Sequence, residues 1–243
     1  MLKSLIGTGL SARLTPEKYT AYNKEVAFFT SSWEESLSKE LYPHLSVGMK
    51  EKWLPAPYNQ KQYTNIVYDY RGCFSKGSTF EEPEEPYKTI AIGGSIPCAM
   101  STVYEYFNGL VINNKKLDRT ELLLDIGANL VNNGYRTQAT GTLWIAMDKL
   151  FELEYGIETE IQRSIFEVVQ SVCQCHPVVG LVPTSWLHSD DSLASNEAVT
   201  IWAVEEDTAL ITTTTSDKVE KIKVLPLLQH TKRAWACHKK VHA

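Results

Sequence analysis

The chain has 243 residues, 43% of them hydrophobic and 22% charged, which suits one medium domain or one domain with a small extension. A net charge of −5, with 24 scattered Lys and Arg residues, argues against a nucleic-acid-binding surface. No run approaches the ~18 consecutive apolar residues of a membrane span, and 5 irregularly spaced cysteines do not make a disulfide framework.

In chain order, "MLKSLIGTGLSARL" lacks the apolar stretch of a signal peptide, so a cytoplasmic protein is expected. Residues 16–42 read as helical, with Ser32 and Glu35 spaced for a capping box, Leu37 and Leu41 as its apolar stripe, and Pro43 as the stop. "WLPAPYNQKQYTNIVYDYRG" suggests extended chain, and "EEPEEP" an acidic loop whose prolines disfavour helix. Met100, Val103, Tyr104 and Phe107 then mark one face of a buried helix capped at Gly109. Further helices are expected over Thr120–Asn132, Thr142–Tyr155 and 163–175. "PVVGLVP", "AVTIWAVEEDTALITTTT" and "KIKVLPL" read as strands, and the tail "TKRAWACHKKVHA" as a solvated terminus. Helices first and antiparallel strands second predict an α+β fold with segregated layers.

Three groups of residues carry candidate chemistry. The stretch "GGSIPCAMSTVYEYFNG" leads a glycine pair into Ser95 and Cys98 at a helix start. Ser95 suits an N-cap, and Cys98, one turn deeper, suits a buried thiol. His188, in "PTSWLHSDDS", with Asp190 or Asp191 as orienter, offers Cys98 a base and defines an alternative active set. Cys173, Cys175 and His176, with Cys237 and His238, suggest a zinc site, but the C-x-C spacing is looser than structural zinc sites use. Incidental thiols are expected there, with no metal or cofactor. The glycine-rich "IGGSIP" lacks the Lys-Ser/Thr signature of a phosphate loop.

"LPAPYNQ", "GSIPCAM", "NNGYRT", "GTLWIAMDKLFELEYGI" and "NEAVTIWAVEEDTALITTTTS" together resemble the bacteriocin-processing peptidase-like family of papain-fold cysteine peptidases, over roughly residues 54–216. The resemblance implies a papain-like α+β domain over 54–243, with residues 1–53 as an N-terminal helical extension. With Pro97 on the family proline, the nucleophile position falls on Ser95 and the following glycine on Ile96. The family's His position falls on Glu197, its Asn or Asp position on Thr213 or a neighbouring threonine, and its oxyanion residue on Gln60. A serine needs a well-matched base and a carboxylate is a feeble one, so this set reads as a degenerate triad. The resulting expectation is a pseudoenzyme that binds a peptide or protein partner, or plays a regulatory role. The alternatives are an active cysteine hydrolase using Cys98 and His188, or an assembly protein that forms homo-oligomers through residues 1–53.

Overall fold

A computed structural model describes residues 46–68, 89–137, 141–188 and 196–240. The helices expected over residues 16–42 and the "EEPEEP" loop lie outside the described residues. The chain enters as a short strand, β1 (Ser46–Gly48), and passes through 3₁₀ turns at Glu51–Trp53 and Gln60–Gln62. A single helical turn, α1 (Ile90–Gly93), leads into α2 (Ser95–Asn108). The small hairpin β2 (Val111–Ile112) and β3 (Lys115–Lys116) precedes α3 (Arg119–Asn132). A second small hairpin, β4 (Arg136–Thr137) and β5 (Gly141–Thr142), precedes α4 (Ile145–Tyr155). Then come β6 (Ile157–Gln162), α5 (Ile165–Cys173), β7 (Val178–Pro183) and the short α6 (Thr184–Leu187). The chain closes with β8 (Asn196–Glu205), β9 (Thr208–Thr213), β10 (Val219–Lys223), α7 (Val224–His230) and β11 (Arg233–Lys239).

Local chemistry explains the element ends. Asp118 accepts from the Glu121 amide at 2.8 Å while the Glu121 carboxylate accepts from the Asp118 amide at 2.9 Å, a complete capping box for α3. At the end of α5 the amides of Cys175 and His176 return to Val172 and Ser171, and Cys175 takes the left-handed position with φ 58°. Ser95 is the first residue inside α2 rather than its cap, because α1 runs almost directly into α2 and Gly94 takes the cap position.

Among the described residues, seven strands make one sheet in the order β10-β9-β8-β7-β11-β6, all pairs antiparallel, with β1 on β8 beyond the end of β7. Strand alternation divides the interior into two cores. Val179, Leu181, Ala198, Trp202, Trp235 and Cys237 face the first, beneath α2, α3 and α4. Val178, Val182, Val199, Ile201, Ala234 and Ala236 face the second, packed with residues of α5 and α7. The mixed helix and antiparallel sheet expected from the sequence is present. The single segregated helical layer is not, since helices cover both faces.

Two further expectations are corrected. The tail is not solvated: Arg233–Lys239 is β11, between β7 and β6, with Trp235 and Cys237 fully buried. Its charges cap a buried Ala-Trp-Ala-Cys run. "VLPL" does not extend a strand but forms α7, where Pro226 sits in the first turn and no intrahelical amide is needed. Ser46–Gly48 pairs antiparallel with Ala203–Glu205 of β8. Gly48 has φ 99°, and a Cβ there would stand 2.5 Å from the Trp202 carbonyl oxygen, so glycine alone fits.

Candidate functional site

Three of the sequence-predicted residues, Glu197, His188 and Gln60, meet at one end of the sheet, where β8 begins and β9 ends. Glu197, 2% exposed, is the second residue of β8. Its Oε1 accepts from the Thr214 amide at 3.0 Å, the Thr214 hydroxyl at 3.2 Å and the Thr215 hydroxyl at 2.9 Å. Its Oε2 lies 2.8 Å from His188 Nε2. His188 follows α6, its amide bonded back to the Thr184 carbonyl at 2.9 Å, and its side chain is 37% exposed. Thr215 Oγ1 also lies 2.9 Å from the same imidazole nitrogen.

Two separate sequence hypotheses thus meet in one cluster. Glu197 came from the resemblance and His188 from the alternative active set, and they touch each other. Thr213 itself makes no hydrogen bond to Glu197: its hydroxyl is buried without a hydrogen-bond partner among the described residues. The register that pairs Val199 with Thr213 leaves Glu197 level with Thr215, so the neighbouring threonines make the contact. The Glu197 position is not a strand-edge charge, since β8 is flanked by β7 and β9. It pairs with Val182 of the second core, whereas Ala198 packs in the core that α2 shares.

Gln60 reaches the same end through its backbone, its amide donating to the Thr214 carbonyl at 2.7 Å. Asn59 and Gln62 donate to Asp217 at 2.9 and 2.7 Å, fastening this 3₁₀ turn to the chain beyond β9. The turn also packs on α1, directly before Ser95. Gln60 Oε1 is buried and has no hydrogen-bond partner among the described residues. Asp190 and Asp191 lie outside the described residues.

Cys98 is fully buried in the first core. Burial, and secondarily the Glu197 carboxylate, push its thiol far above the ordinary cysteine range, against a weaker opposing pull from Arg119. A thiol held protonated is a poor nucleophile. The second candidate, Ser95, sits at the first helical position with no capping bond to make.

Sequence reasoning missed two arginines that brace α2, one at its start and one near its end. Arg136, 2% exposed, donates to the Gly93 carbonyl at 2.8 Å and to Thr142 Oγ1 at 2.6 Å, and lies 3.5 Å over the Tyr68 ring. Arg119 pairs with Glu105 of α2 at 3.1 Å, bonds the Ala56 carbonyl and stacks 3.9 Å over Tyr58. Only the Arg in "NNGYRT" had a sequence signal, and that signal gave no role. A cleft of about 300 Å³ beside α3, lined by Ile66, Val67, Leu123 and Leu124 among others, holds none of the predicted site residues.

Among the described residues, no group of three or more metal-ligating side chains comes together. Cys173 and Cys175 are exposed, Cys237 is buried, and His176 stacks on His238 with ring centres 5.0 Å apart. His238 is held by Glu158 at 3.0 Å. Burial first, and the neighbouring His238 second, lower the His176 pKa, with Glu160 opposing. A histidine with a depressed folded-state pKa contributes stability above its unfolded value of about 6.5 and loses it as pH falls below. Acidification from pH ~7.5 to ~5.5 should therefore lower the urea midpoint more in the wild type than in His176→Gln. Equal acid sensitivity of the two would remove this assignment.

Comparison with known proteins finds no matching family model, curated protein or solved structure. Among the described residues, no helix is long and apolar enough to cross a membrane.

Proposed function

We propose that the chain is a papain-like α+β domain without peptidase chemistry, which binds a peptide or protein partner at the Gln60–His188–Glu197 end of its sheet. The supporting observation is how the Glu197 carboxylate is used. In a hydrolytic triad the base presents one ring nitrogen to the orienting carboxylate and the other to the nucleophile. Here Glu197 and Thr215 both meet His188 Nε2, so no proton can be relayed from Thr215 through the ring to Glu197. The carboxylate instead accepts from four groups and locks β8, β9 and α6 together. The burial of Cys98, and the lack of any hydrogen bond from Ser95 to a base among the described residues, support a reading without peptidase chemistry.

Four free cysteines among the described residues suit a reducing compartment, which supports a cytoplasmic setting. Of the segment 1–53 invoked for assembly, residues 1–45 lie outside the described residues. The test is equilibrium dialysis of the full chain against a defined pool of short peptides, with masses read on both sides. The expected result is selective retention of intact peptides. Cleavage abolished by Cys98→Ser and His188→Gln would establish the hydrolase instead, and failure to retain any peptide would overturn the binding reading.

A further inference from the structure

We propose that His188 is the ligand-contacting residue of this site, and that it acts through Nδ1 as a hydrogen-bond acceptor for N–H donors of a bound peptide. The inference rests on the binding reading above but follows from a separate observation, the direction of the hydrogen bonds around the imidazole.

An ionised carboxylate only accepts, so the hydrogen in the 2.8 Å contact between Glu197 Oε2 and His188 belongs to Nε2. Thr215 cannot supply a competing hydrogen, because its single O–H donates to Glu197 Oε1 at 2.9 Å. Its lone pair faces Nε2 at 2.9 Å as a second acceptor. Both neighbours of Nε2 therefore demand a donor, and the neutral ring is fixed with its proton on Nε2 and a lone pair on Nδ1. Nδ1 makes no hydrogen bond among the described residues, and the side chain is partly exposed while Glu197 beneath it is buried. The buried carboxylate sets the tautomer, and the exposed edge of the ring carries the consequence.

A lone pair at Nδ1 selects ligands by hydrogen-bond sense. A peptide amino terminus or main-chain N–H can donate to it, whereas an acceptor-only anion such as acetate meets repulsion while the ring is neutral. Glu197→Gln offers an internal control, because the glutamine amide can donate to Nε2. The ring then moves its proton to Nδ1, and the preference reverses from donors to acceptors.

The test uses the full chain with ¹⁵N-labelled histidine, read by long-range ¹H–¹⁵N correlation at pH ~7.5, which separates the two neutral tautomers from the doubly protonated ring. The wild type should show His188 protonated at Nε2. Unblocked trialanine should shift its Nδ1 resonance, and acetate should not. In Glu197→Gln the proton should sit on Nδ1, acetate should become the active probe, and trialanine affinity should fall roughly tenfold, the worth of about one hydrogen bond. A wild-type ring protonated at Nδ1, or equal responses to trialanine and acetate, would overturn the proposal without needing any variant to fold. The two readings fail separately. Peptides retained in dialysis without movement of the His188 resonances sink this inference alone, whereas an empty dialysis result sinks the binding reading.

Discussion

Glu197→Ala is expected to lower the free energy of unfolding by about 2–4 kcal/mol. The substitution strands the Thr214 amide, two threonine hydroxyls and the His188 Nε2–H, which all converge on the carboxylate. Each buried donor left without an acceptor costs about 1–3 kcal/mol. Part of that loss is offset, because the desolvation penalty of a charge 2% exposed disappears with it. Glu197→Gln keeps an acceptor for the threonines and should lose roughly half as much. Urea unfolding of the three proteins checks the ranking. A neutral or stabilised alanine variant would mean that the carboxylate does not lock the strand ends.

Trp202→Ala should be more severe, at about 3–5 kcal/mol, the usual range for deleting a large buried aromatic. Trp202 is fully buried at the β8 irregularity, where the register shifts between Ile201 and Ala203. An extra residue at a bulge bends the strand and re-aims its side chain, and this one enters the first core. Its ring lies 5.2 Å from that of Tyr106, and its Nε1 donates to Thr212 Oγ1 at 2.9 Å. Alanine removes the packing and leaves the Thr212 hydroxyl without this donor. Trp202→Phe keeps most of the buried area and should recover more than half of the loss. If the alanine variant unfolds at the wild-type urea midpoint, the first core is not organised around this bulge.

The parts of the fold that were legible in the sequence are those governed by local pattern. The α2 face of Met100, Val103 and Tyr104 is buried as its spacing requires, and Gly109 ends the helix with φ 63°. Gly156 likewise stops α4 in a left-handed turn. What local pattern could not show is where a segment is placed. "RAWACHK" carries flanking charges that suit a solvated tail, but its four central residues alternate between two cores. "VLPL" is equally apolar as strand or helix, and the tolerance of the first helical turn for Pro226 decides the matter.

The site was legible as a list of residues and not as an arrangement. Glu197 and His188 are 9 residues apart and were reached by different arguments, and only the pairing of β7 with β8 brings them together. Thr215, which also accepts at His188 Nε2, was named by sequence reasoning only as a neighbour of Thr213. Arg136 was missed because nothing local distinguishes a buried arginine that supports the Gly93 carbonyl from an exposed one.

The proposed absence of a working nucleophile at the start of α2 is tested most directly by native iodoacetamide labelling with peptide mapping near neutral pH. Cys173 and Cys175, both exposed, should label, while Cys98 and Cys237, both buried, should react only after unfolding. Fast, selective labelling of Cys98 in the folded protein would contradict the account and restore the cysteine hydrolase.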